Sequence, residues 1–167
     1  MPTPDFILTL RKKIGHDELW LPGVTGLVVD DRQRILTVRR ADNGRWTLIT
    51  GILDPGEQPA HGIQREVEEE TGVQVRVERL LSIEAEPPQA FPNGDKAVFL
   101  DTAFLCTAIG GEARVNDDES RDVRWFARAD LPPLPARHVR MVGWYFAGVT
   151  APWYVGMPDH EPGMPTT

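Results

Sequence analysis

The chain has 167 residues, 41% apolar and 26% charged, which suits one ordinary hydrophobic core and excludes a collagen-like, solenoid or wholly disordered protein. A net charge of −7 argues against a duplex nucleic-acid binder, which needs clustered Lys and Arg, but allows a small phosphorylated ligand held by local cations and metal ions. No apolar run approaches the ~20 residues that span a bilayer and the N-terminus lacks a signal-peptide layout, so a cytoplasmic protein without membrane contact is the expectation.

Phe6 to Ile14 places apolar residues at helical spacing and closes at Gly15, so a short helix precedes the main fold, packed on the domain or on a partner subunit. Strand-like runs follow at Val24 to Asp30, Arg34 to Arg39 and Trp46 to Thr50; the polar turn Asp31-Arg32-Gln33 makes the first two an antiparallel hairpin. After the turn Asp54-Pro55-Gly56, the stretch from about Pro59 to Thr71 reads as a helix stopped by Gly72. Gln74 to Glu84 and Lys96 to Thr107 suit strands, and the Pro- and Gly-rich segment between them, residues 86–95, reads as a loop. The single cysteine, Cys106, excludes an internal disulfide, and its apolar setting fits a packed thiol. Asp122 to Phe126 is a shorter strand, Ala136 to Gly148 a further helix, and the Pro-rich tail beyond Trp153 is expected to be loose. Strands around two or three helices make an α/β sandwich, with residues 1–155 as one domain and 156–167 as a tail.

The informative stretch is Gly51 to Val73. Residues on a helix advance about 100° each, so Glu66, Glu69 and Glu70 fall within one arc roughly 100° wide, while Glu68 points away. Ile63 and Val67 form the neighbouring stripe and set the rotation by burying against the sheet. Like charges on one face repel, so something should neutralise them, and hard divalent cations with oxygen ligands do this well. Arg65 supplies an internal counter-charge, and Gly62 lies near the same face, where a missing side chain leaves room for metal or substrate. A solvated acidic helix is the alternative, and helical geometry alone does not separate the two.

The surrounding pattern does. Gly51, Glu57 after five intervening residues, Arg65-Glu66 after seven more, then Val67, Glu69, Glu70, Gly72 and Val73 resemble the Nudix box, G-x(5)-E-x(7)-R-E-U-x-E-E-x-G-U with U aliphatic, at every specified position. The resemblance implies a Nudix-type α/β/α sandwich with a mixed central sheet, preceded here by the short N-terminal helix. It implies a hydrolase that cuts a diphosphate linkage with Mg2+, or Mn2+ as a substitute. Glu66, Glu69 and Glu70 would be metal ligands, with Glu57 and the Gly51 carbonyl assisting; Arg65, Glu69 and Glu70 would serve catalysis. One departure is Ile49-Thr50-Gly51, where the family often has Pro-Gly-Gly.

The family adds an acidic residue from a later loop as ligand or base, and Glu119, with Asp118 second, stands where that loop falls; an exposed acidic turn is the competing reading. Arg39 and Arg40 face opposite ways on a strand, so one can grip phosphate, with Arg40 preferred. Trp46 can stack on a base or fill the core. The loop holding Asp95 reads as a specificity element or a plain hairpin turn. The four histidines show no metal-ligand spacing and receive no role. Pro88, fifteen residues beyond Val73, is placed like the proline marker of the ADP-ribose-cleaving branch. The expected substrate is a nucleoside diphosphate linked to another moiety, ADP-ribose-like. Nucleoside triphosphate cleansing is the alternative, and a non-catalytic nucleotide sensor comes last. A homodimer suits the N-terminal helix and exposed strands.

Overall fold

Eleven residues of β1, Leu19–Val29, set the frame on which everything else is hung. In the computed structural model, which describes residues 4–156, β1 pairs in parallel with β7 (Lys96–Gly111) along its whole length, from Leu19 opposite Ala97 to Val29 opposite Thr107. β7 in turn pairs antiparallel with β5 (Val73–Ala85). The other edge of β1 is shared. Residues 23–26 pair with β4 (Ile49–Ile52), whereas Val29 meets Ile35 at the start of β2 (Ile35–Arg40), the expected hairpin. β2 also carries β3 (Trp46–Thr47) and β8 (Ser120–Phe126). Because β2 and β4 leave β1 at different heights, the sheet splits between them, and side chains can enter from both faces.

The two faces bury separate cores, as in an α/β/α sandwich. Helix α2 (Pro59–Thr71) lays Ile63 and Val67 on Val24, Val28, Leu36 and Ile49. Approach is close: a Cβ at Gly26 would stand 2.9 Å from Ile63 Cδ1. Helix α3 (Ala136–Phe146) lays Met141, Val142 and Trp144 on Leu27, Ile35, Leu48 and Leu81 across the opposite face. Alternation along β1 does this, since even and odd residues of a strand face opposite sides. Helix α1 (Asp5–Ile14) packs on the domain itself, Ile7 against Leu21 and Ala97.

Three expectations change. The run Trp46 to Thr50 is broken at Leu48, because its amide N–H leaves the ladder and donates to His138 Nδ1 at 3.2 Å. The loop 86–95 contains a two-residue strand, β6 (Gln89–Ala90), paired antiparallel with β7. The chain beyond Trp153 begins as strand β9 (Trp153–Tyr154), parallel to β5, with Trp153 stacked on Trp144 at 5.6 Å. The remainder of the expected tail lies outside the described residues. Among the described residues, no helix is long and apolar enough to cross a membrane.

Candidate active site

The acidic helix is anchored at both ends. Pro59 opens it at a position where a missing N–H is harmless, and Gly72 closes it in the left-handed conformation at φ 70°. Past the helix, Asn116 Nδ2 donates to the Glu68 and Glu69 carbonyls at 3.1 Å, adding to the Gly72 N–H that the Glu68 carbonyl already accepts at 2.9 Å. This cap draws the loop carrying residues 117–119 over the carboxylate face.

Burial then separates the glutamates that the helical wheel groups. Glu66 is fully buried and Glu70 nearly so, whereas the Glu69 side chain is 49% exposed. A Cβ at Gly51 would overlap the Glu66 carboxyl carbon, so the glycine is a cradle for this side chain. Burial, reinforced by Glu69, pushes the Glu66 carboxyl up to about 7 despite the nearby Arg65; burial with Glu66 and Asp117 nearby pushes Glu70 up to about 8. Glu66 Oε2 is buried with no hydrogen-bond partner.

Arg65 is the hub of the remaining charges. Its guanidinium grips Glu57 through two 2.8 Å bonds and reaches Glu66 Oε1 and Glu69 Oε2 at 3.1 Å. These carboxylates hold it firmly protonated, Glu57 foremost, and Glu57 is held below the usual carboxylate range. Arg65 therefore acts on its neighbours, ordering three glutamates. Glu69 is turned toward this guanidinium, and among the described residues no three His, Cys, Asp or Glu side chains stand in ready-made metal geometry. The expected convergence of three carboxylates is thus met by a buried pair, Glu66 and Glu70, with Glu69 at the rim.

A cleft of about 650 Å³ opens in front of Glu66, within the size range of small-ligand sites. Five carboxylates border it, those of Asp42, Glu66, Glu86, Asp101 and Glu119, against three guanidiniums, those of Arg40, Arg45 and Arg137. Arg40 is tied to Asp42 by bonds of 3.0 and 2.8 Å, and Arg137 to Asp101 at 2.6 Å and Glu86 at 2.9 Å. The basin between the split strands is therefore acidic, and it gathers oxygen donors of the kind hard divalent cations take.

Among the other expected residues, Glu119 borders the cleft, and its carbonyl accepts the Ala41 N–H at 2.6 Å; Asp118 is exposed and does not line it. Arg40 lines the cleft and feels Glu70, whereas Arg39 is exposed and bonded to the Gly44 carbonyl. Trp46 packs edge-on against Phe126 at 5.2 Å and does not line the cleft. Asp95 is also away from it, its carboxylate held by His16 at 2.8 Å and Arg11 at 3.3 Å. The space left by Gly62 is filled by Leu53, which a Cβ there would strike, so it holds packing and no ligand. Sequence reasoning passed over Arg137, Glu86, Asp101 and His138, which long-range packing brings together. Burial drives His138 down to about 3, so it is a neutral acceptor for Leu48.

The sequence profile of the NUDIX domain matches residues 19–145, most of the chain. The chain belongs to the Nudix family. This Nudix chain is 38% identical over 102 residues to a MutT-like protein of Streptomyces ambofaciens, covering 61% of the chain and 60% of that relative. It is 30% identical over 122 residues to the ADP-ribose pyrophosphatase of Methanocaldococcus jannaschii, covering 71% and 69%. Among solved structures it resembles a MutT Nudix hydrolase from Burkholderia pseudomallei, with a TM-score of 0.59 and 31% identity over 75% of the chain and 97% of that structure.

Proposed function

We propose that this Nudix domain hydrolyses the diphosphate linkage of a nucleoside diphosphate joined to a second moiety, of the ADP-ribose kind, with a divalent cation. The observation that carries the reading is Glu66, a fully buried carboxylate with one orphaned oxygen, opening on a cleft where carboxylates outnumber guanidiniums. Such a cleft repels a diphosphate unless cations are gathered first. The donor set fits them: Glu66 and Glu70, helped by Glu69, Glu57 and the Gly51 carbonyl, are hard oxygen ligands suited to magnesium or manganese. Bound there, the cation would offset charge on the phosphoryl oxygens and acidify a water.

The protein's own groups do the rest. Arg65 holds Glu57, Glu66 and Glu69 in place before substrate arrives. Arg40, set on its strand end by Asp42, is within the field of Glu70 and offers a planar donor fork to a phosphate. Glu119, which borders the cleft, would take the proton of an attacking water, and a box glutamate such as Glu70 would be the alternative acceptor. Support for an ADP-ribose-like substrate comes from the likeness to the archaeal ADP-ribose pyrophosphatase.

The test is a panel of ADP-ribose, nucleoside triphosphates, dinucleoside polyphosphates and CDP-alcohols, each with magnesium and with chelator. ADP-ribose should give AMP and ribose 5-phosphate only with metal. Absence of metal-dependent products from every compound would remove the hydrolase reading; stronger turnover of triphosphates would replace the substrate.

A further inference from the structure

The cleft has two unlike walls. Arg40, Asp42, Glu66 and Glu119 make one charged, while the β6–β7 turn and β7 present Ala90, Phe91, Pro92 and Phe99. Phe91 is 38% exposed, a large apolar ring left in water at the mouth of a cleft. Its turn is held from within: the Phe91 N–H donates to the Asp95 carbonyl and the Gly94 N–H to the Phe91 carbonyl, both at 2.9 Å. Asn93 adds two bonds to Asp95, one to its amide at 3.1 Å and one to its carboxylate at 3.0 Å. It is also held from outside. Arg11 Nη2 donates to the Lys96 carbonyl at 2.8 Å, and Arg11 and His16 both seize the Asp95 carboxylate.

An exposed ring carried on a braced turn is preorganised for a flat apolar partner, because the entropy of ordering its backbone was lost on folding. From this geometry, and resting on the diphosphate reading above, we infer that Phe91 is the stacking platform for the substrate's nucleobase and Asp95 the positioning residue that holds it there. The phosphates then fall toward the charged wall. Gln89 and Glu86 edge the apolar wall, and they suit the heteroatom rim of a base; an alkyl chain would desolvate them without replacing their hydrogen bonds.

Calorimetric titration of the full chain with AMP and with ribose 5-phosphate, at the same magnesium concentration, isolates the base. Wild type should bind AMP at least about tenfold more tightly than ribose 5-phosphate, as stacking on an aromatic platform provides. Phe91→Ala should erase most of that ratio while leaving ribose 5-phosphate binding unchanged, and Phe91→Trp should restore it. Asp95→Asn should reduce the ratio with Phe91 present, in a protein whose melting shows it folded. A ratio near one in wild type, or one that survives Phe91→Ala, overturns the inference. Because the readout is binding, it stands apart from the turnover panel: loss of all hydrolysis would fell the diphosphate reading without moving this ratio.

Discussion

Replacing Glu66 with Gln should stabilise the metal-free protein increasingly as pH rises above 4.5. The carboxyl is fully buried and pushed up to about 7 from an ordinary value of 4.5, chiefly by burial. Below pH 4.5 it is neutral in both folded and unfolded chains and has no pH-dependent effect. Between 4.5 and 7 the unfolded chain ionises while the folded chain keeps its proton, so stability falls as pH rises. Above 7 the full penalty is in force, about 3 kcal/mol at 1.36 kcal/mol per unit. Glutamine has nearly the same shape and no ionisation, and Arg65 keeps Glu57 and Glu69 as partners. For a domain of this size, thermal melting in chelator should therefore show the variant gaining roughly 5 to 10 °C over wild type at pH 8.5, and little at pH 4.5. Added magnesium should raise the melting temperature of wild type and leave the variant nearly unmoved. An equal difference between the two proteins at both pH values would refute the account of Glu66 as a carboxylate strained by burial.

Gly51→Ala places a methyl group on the Glu66 carboxyl, so it should lower stability by about 2 kcal/mol and reduce metal-dependent turnover by two orders of magnitude or more. Melting and turnover near wild type would show that the cradle is dispensable. Arg65→Lys keeps the charge but cannot span Glu57, Glu66 and Glu69 together; calorimetry should find divalent binding weaker by about 10- to 100-fold. Cys106 is fully buried and its thiol is pushed up to about 12 by burial, so a thiol reagent at pH 8 should leave the native protein untouched and modify it in denaturant. Rapid labelling without denaturant would contradict that packing.

What could be read from sequence was whatever local chemistry decides. Helix α2 is bounded by Pro59 and Gly72, whose backbone preferences are their own, and its apolar stripe Ile63 and Val67 lies on the sheet. The β1–β2 hairpin follows from a polar turn between apolar runs. Less legible was anything settled by distant partners. Strand β9 is two residues long, too short to show a period, and is made by β5. The break at Leu48 is made by His138, ninety residues later in the chain. A helical wheel treats Glu66, Glu69 and Glu70 as equals; only the sheet beneath Gly51 and the pull of Arg65 distinguish a buried acid from a rim acid. Asp95, a loop carboxylate in a promising segment, turned out to brace that segment against α1.

The amide of Ala41, bonded to the Glu119 carbonyl, stitches the end of β2 to the strand entry opposite it. With Arg40 opposite Ser120 in the β2–β8 ladder, this bond ties the position of Arg40 to that of Glu119. On the reading proposed above, the guanidinium offered to a phosphate and the carboxylate offered to a water's proton would be held at a fixed spacing by that one backbone bond.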